Sequence, residues 1–355
     1  MLNIFFLVIT VISVPVAVIG GFMDWPALLM FIIDSVAVIG LAFYIGKATE
    51  NLAVVTGPSI GGLLNASFGN AAEIIIAVFA LSEGLTQVVL ASLTGSVLGN
   101  LLLVGGLSFF VGGLRAKRHQ LNVHEARHNA GLLLFAIVIA FVFPYIFSSR
   151  VEDNDTQIMS IIISIVLIII YLAGLFFKLV THRGVFKSSS PKENEKSEAE
   201  EEPDWNLWMA IGVLVASTAA VAYISEDLVH RIEPVGASLG WSDLFIGVII
   251  VAIVGNAAEH SSAVMMAYQK RMNVAVEIAV GSSLQIAMFG APILVLISLL
   301  LGDFMPLVFS STELISMVLS ALLVINLTSD GDTNWFEGAM MLGAYIIMGV
   351  GFYLL

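Results

Sequence analysis

The pentapeptide Gly-Asn-Ala-Ala-Glu occurs twice, at Gly69 to Glu73 and at Gly255 to Glu259, each time inside a long apolar run. A carboxylate at the centre of a bilayer costs about 2.5 to 3.5 kcal/mol on insertion scales, so it persists only facing protein, water or a cation. Glu73 is followed by Ile74-Ile75-Ile76, Glu259 has Ser261-Ser262-Ala263-Val264 after it, and neither apolar run holds a Lys or Arg. On a helix, Asn70 and Glu73 share a face, as do Asn256 and Glu259, because they are three residues apart. Two carboxylates with amide oxygens, without sulfur or paired imidazoles, suit a hard divalent cation; calcium, which takes roughly six to eight oxygens from flexible cages, fits best. Protons compete for the same oxygens, and the protonation of two carboxylates close together is coupled. That competition is an exchange mechanism, since one divalent cation or two protons each neutralise the pair.

The repetition extends beyond the pentapeptide. A shift of 186 residues superimposes Gly69 to Leu98 on Gly255 to Leu284 with 11 of 30 positions identical, including Gly95-Ser96 with Gly281-Ser282. Ser92, Ser96 and Asn100 recur at four-residue spacing in the first copy, and Ser282 and Gln285 share a helical face in the second. These side chains can supply oxygens or hold a glutamate in place. Their alternative use is to hydrogen-bond helix to helix, as small polar residues in membranes commonly do.

The elements that must position these residues are membrane helices. Apolar residues make up 59 % of the 355-residue chain and charged residues 12 %, and the mean hydropathy is +1.00, far from the composition of a soluble domain. A span needs about 20 apolar residues, and the sequence predicts eleven: 3–21, 26–46, 58–82, 86–113, 130–148, 157–180, 206–226, 242–267, 272–301, 305–326 and 335–354. The third and ninth run through glycine-rich sequence, so interruptions are expected there. The apolar N-terminus, with no basic residue before it and no small-residue cleavage site after it, reads as the first span rather than a signal peptide. Of 14 Lys and Arg residues, all but Arg150 and Arg231 fall on one side of this arrangement, which predicts a cytoplasmic N-terminus and an external C-terminus.

With five spans between them, the two copies enter the membrane from opposite sides. The expected fold is therefore all-α and polytopic: one leading helix (1–22), a five-helix repeat (23–183), an acidic cytoplasmic linker (184–204) and an inverted second repeat (205–355). Such repeats are a recurring architecture of secondary transporters, with the ion site at their interface near mid-bilayer.

The paired GNAAE motifs, with GSVLGN after the first and GSSLQIA after the second, resemble bacterial calcium/proton antiporters of the cation/proton exchanger family. The likeness covers nearly the whole chain and implies a sodium/calcium-exchanger-like fold in which Glu73 and Glu259 bind calcium and protons alternately. It also implies that Asn70 and Asn256 contribute to the site and that Ser96, Asn100, Ser282 and Gln285 complete or support it. His260 matches the family pattern too, but a turn of about 100° per residue points it away from Glu259, as a gate or packing residue. Sodium/calcium exchangers, the main alternative, carry proline where Ala72 and Ala258 stand, which favours protons as counter-ion; a passive cation channel is a further alternative. The resemblance implies a plasma-membrane transporter, not an enzyme, with Ca2+ and H+ as cargo and no cofactor. Self-association is left open, and no basic patch calls for nucleic acid.

Glu277, Gly281 and Gln285 fall on one face of the ninth span, so Glu277 either lines a cytoplasmic vestibule or pairs with a neighbouring basic residue. Asp330 and Asp332 read as turn residues. Lys192 to Asp204 carries seven acidic residues among thirteen and is either a solvated linker or a weak calcium-sensing segment. Replacing its glutamates with glutamine separates the two: the calcium dependence of transport changes only under the second reading.

Overall fold

The computed structural model describes residues 2–57, 60–61, 64, 67–181 and 203–355. Most of the acidic linker, 184–202, lies outside the described residues, as do positions 58–59, 62–63 and 65–66 of the third expected span. In chain order the helices are α1 (Leu2–Phe22), α2 (Ala27–Thr56), α3 (Ala71–Ser82), α4 (Thr86–Arg115), α5 (123–148), α6 (Asp153–Thr181), α7 (Leu207–His230), α8 (Ile232–Leu239), α9 (Asp243–Tyr268), α10 (Met272–Leu301), α11 (Ser311–Thr328) and α12 (Trp335–Leu354). Among the described residues, ten are long and apolar enough to cross a membrane, and α3 is a shorter apolar helix. Helices satisfy every backbone polar group internally, which is what lets such a chain cross hydrocarbon. The exception to the all-α expectation is a two-residue antiparallel ladder, β1 (His119–Gln120) with β2 (Asp332–Thr333), tying the loop after α4 to the loop after α11.

Several helix ends differ from the sequence reading for local reasons. α2 runs on to Thr56, carrying Lys47 and Glu50 as helical residues beyond the apolar stretch. The tenth expected span begins at Ser311 rather than 305, because Ser310 and Glu313 form a reciprocal capping box that fixes the start of α11. The third span is broken at a Gly69–Asn70 turn before α3. The ninth is continuous, with a π-helical turn at Ile286–Gly290, and α4 carries one at Gly99–Val104.

Ion pairs at the helix ends sort the two faces of the molecule. Lys47 pairs with Asp204 at 2.9 Å at the start of α7, and His230 pairs with Glu83 at 3.1 Å at its end. Lys178 at the end of α6 meets Glu277 at the start of α10, and Arg118 meets Asp332 beside the β ladder. α4 is the most enclosed of the long helices, whereas α1, α6 and α12 present large apolar side chains outward.

At the centre α4 crosses α9 in close contact. A Cβ on Gly95 would fall 2.0 Å from the Val248 carbonyl oxygen, so only glycine permits this approach. A Cβ on Gly281, its counterpart in the repeat, would meet no described atom within 4 Å. Gly95→Ala is accordingly expected to destabilise by about 1 to 3 kcal/mol, read as a lowered apparent melting temperature in detergent, with Gly281→Ala close to the parent.

Candidate cation site

Glu73 stands in the first turn of α3, where its acidic side chain suits a helix N-terminus, and is buried at 2 % exposure. Ser96 of α4 donates its hydroxyl to Glu73 Oε1, with the Ser92 carbonyl at 2.9 Å as the alternative acceptor for the same proton. Glu73 Oε2 has no hydrogen-bond partner although it is buried. The backbone of the second motif lies directly against it: a Cβ on Gly255 would come 3.1 Å from the Glu73 Cβ.

The second half repeats this arrangement with partners at the same sequence separation. Ser282 of α10 donates to Glu259 Oε2 of α9, as Ser96 does to Glu73. Glu259 is less enclosed than Glu73, being half-buried. The two carboxylates are near enough to interact electrostatically.

The asparagines cross between the halves. Asn256 donates from Nδ2 to Ser96 Oγ at 2.9 Å and to the Ala252 carbonyl at 2.9 Å, leaving its buried Oδ1 without a donor. Asn70, in the amide orientation its neighbours select, donates to Glu259 Oε1 at 3.0 Å and Oε2 at 3.3 Å and accepts from Gln285 Nε2 at 3.2 Å. The expectation that Asn70 shares a helical face with Glu73 is corrected here. Asn70 is the residue before α3, with non-helical φ −101° and ψ 24°, so it is freed from the helix register and reaches the other glutamate. Asn256 lies within continuous helix, as expected.

Glu73, Glu259, Asn70, Asn256, Ser96, Ser282 and Gln285 are thus joined in one polar cluster. Asn100 is buried at the start of the π turn of α4 with Nδ2 unpartnered, and no contact joins it to either glutamate among the described residues. His260 points away from this cluster: its ring lies 3.8 Å from the position of a Cβ on Gly99, and it lines a cavity of about 460 Å³ with Leu107, Val111 and Tyr268. Glu277 is held by Lys178 at 2.5 Å, the pairing alternative. Asp330 and Asp332 form a turn, with the Asp332 amide donating to Asp330 Oδ1 at 3.1 Å.

Orphaned oxygens are the chemically informative feature. A buried carboxylate oxygen and a buried amide oxygen without donors are costly, and both are hard ligands for a cation or, for the carboxylate, a proton. Among the described residues no three His, Asp or Glu side chains form a ready metal cage, so the donor set is two carboxylates with amide and hydroxyl oxygens. Sequence reasoning missed two buried carboxylates outside the repeat: Glu313 in α11, at 3 % exposure and held by its capping box and the Thr94 hydroxyl, and Asp34 in α2, at 1 %. The signal for Asp34 was present, as a lone aspartate in Phe31-Ile32-Ile33-Asp34, but no repeat drew attention to it.

A pair of carboxylates among apolar helices, beside donor-free oxygens, is the kind of arrangement a cation exchanger requires. Residues 26–180 and 209–354 match the family described as sodium/calcium exchanger protein, and the chain belongs to that family. It is 57 % identical over 354 residues, the whole of both chains, to the Ca(2+)/H(+) antiporter ChaA of Bacillus subtilis (strain 168). It is 53 % identical to native YfkE, whose solved structure superimposes with a TM-score of 0.87 over 99 % of this chain and 100 % of that one. The H+/Ca2+ exchanger CAX shares the fold, with a TM-score of 0.72 at 15 % identity over 100 % of this chain and 93 % of that one.

Ser96→Ala and Ser282→Ala each remove the hydroxyl that holds a glutamate oxygen in place of a cation, and each is expected to tighten divalent-cation binding about tenfold, the worth of one hydrogen bond to a charged group. Ser96→Ala has the larger effect, because Asn256 loses one of its two acceptors as well. Equilibrium ⁴⁵Ca²⁺ binding to the purified variants checks both.

Proposed function

We propose that this chain is a secondary active transporter that exchanges cytoplasmic Ca2+ for external H+ by alternating access, with Glu73 and Glu259 as the competing ligands. The observation that carries the reading is the pair of glutamates, each held by the serine 23 residues further on, beside orphaned oxygens of Glu73 and Asn256. Calcium would draw on Glu73 Oε2, Asn256 Oδ1 and Glu259. Asn70 would turn its amide oxygen inward when the cation arrives, because that orientation faces Glu259 and is favourable only with a cation between. In the protonated state the amide nitrogen and the serine hydroxyls hold the carboxyls instead. Gln285 positions Asn70. Asn100 supports the π turn of α4, while His260 guards the cavity it lines and Glu277 ties α10 to α6 through Lys178.

Eleven crossings, an N-terminus in the cytoplasm and a plasma-membrane location belong to the same reading. Lys47 and Glu83 pair with opposite ends of α7, which supports a crossing between them. The 12 residues of α3 supply about 18 Å of it. The two stretches matching the family, 26–180 and 209–354, support two repeats divided by the acidic segment.

Purified protein in sealed liposomes is expected to take up Ca2+ when a proton gradient is imposed and not when a sodium gradient is. Sodium-driven uptake indifferent to pH would overturn the counter-ion, and calcium flux without opposing proton movement would favour a channel. Glu73→Gln and Glu259→Gln are each expected to abolish exchange while leaving expression and elution volume unchanged.

A further inference from the structure

A second acidic cluster lies away from the central glutamates, at the end of the molecule that carries Glu83. Tyr223, Glu226, Asp227 and His230 occupy one face of α7 at helical spacing and line a cavity of about 290 Å³ with Gly21 of α1 and Asp34 of α2. Asp34 is the informative member. Its side chain is 1 % exposed, it lines the cavity, and neither carboxylate oxygen makes a hydrogen bond. Asp227 and the Arg231 guanidinium are its charged neighbours, with Arg231 Nε 3.5 Å from Asp34 Oδ2 as an ion pair. That guanidinium is engaged elsewhere: Nη2 donates to both oxygens of Asp227 at 2.8 Å, and Nε donates to Oδ2 at 3.2 Å. Glu226 is exposed at the cavity rim, and His230 is taken by Glu83 at 3.1 Å.

Three carboxylates therefore face one cavity with a single guanidinium between two of them. A buried carboxylate without a donor is expensive, and the chain tolerates it beside a space large enough for an ion with part of its water. Gly21 borders that space, and a Cβ there would stand in ordinary contact with Asp227 Oδ2 at 3.5 Å. As placed, with Arg231 among them, these carboxylates form no ready metal cage; with the guanidinium displaced, up to six carboxylate oxygens and water would supply the coordination that a hard divalent cation takes. A divalent charge would compensate the three carboxylates better than the guanidinium does.

We propose that Asp34, Glu226 and Asp227 form a binding site for a hard divalent cation such as Ca2+, in which Arg231 is a tethered counter-ion that swings aside when the cation binds. Placing this site on the external face, where released Ca2+ would pass, rests on the exchange reading above; binding itself does not. Electrostatic focusing by such a cluster holds cations at the mouth of a pathway.

The test uses full-length Glu73→Gln/Glu259→Gln protein and ⁴⁵Ca²⁺ at equilibrium, with luminescent Tb3+ sensitised by Tyr223 as an optical probe. This background is expected to retain Ca2+ binding that Asp34→Asn weakens at least tenfold and Arg231→Gln tightens about tenfold, ligand charge being what tunes such sites. A contribution from the acidic linker is common to all variants and drops out of the comparison. Misfolding would lower binding in both variants, so the opposite signs identify a ligand and its competitor. Should Asp34→Asn yield no folded protein, Arg231→Gln decides the matter alone. An isotherm unchanged by Asp34→Asn, or Arg231→Gln binding no tighter than its parent, overturns the proposal. So does an Asp34→Asn variant that shifts only the pH profile of exchange in otherwise native protein, which marks a proton site. If the central glutamates are not the transport ligands, a second Ca2+ persists in the background and survives Asp34→Asn, which separates the two failures.

Discussion

Hydrocarbon does not solvate charge, and every carboxylate this chain carries into it must be met by a specific neighbour. For Glu73 and Glu259 the neighbour on one side is a serine from the next long helix, and Glu73 Oε2 is left with no donor. That incomplete satisfaction is what an ion carrier needs. A fully hydrogen-bonded carboxylate has no use for a cation, and one with nothing around it would not stay in the membrane.

Bringing the serines to the glutamates requires backbones to pass closer than ordinary side chains allow. Gly95 lets α4 lie on the Val248 carbonyl of α9, and Gly255 lets α9 lie on Glu73. The glycines of the repeated motifs are therefore spacers of the site as much as breaks in the helices. Packing of this kind replaces the hydrophobic effect, which gives no preference for helix on helix in lipid. Outside this centre the demands relax, and α1, α6 and α12 are covered with large aliphatic and aromatic side chains facing outward.

Most of the helical plan was legible because apolar length is a strong, one-dimensional signal. The pairing of Ser96 with Glu73 and of Ser282 with Glu259 was foreshadowed by their shared offset in the repeat. Asn70 was not: its reach to Glu259 depends on the turn at Gly69, and a helical wheel assumes that turn away. The start of α11 was hidden because hydropathy does not register a capping box. Glu277 was undecidable from spacing, since its partner Lys178 comes from α6, far away in sequence. Asp34 was overlooked because attention followed the repeated carboxylates, and a lone one lacks that signature.

The turn at Asn70 and the unbroken helix at Asn256 have a larger meaning together. One short sequence, present twice, has taken two different backbone shapes in the same molecule, and Gly95 is packed tight where Gly281 stands open. On the reading of two inverted repeats, the molecule stores both conformers of a single switch, one in each half. Trading which half wears which shape would exchange the surroundings of the two glutamates with no type of contact that the protein does not already contain.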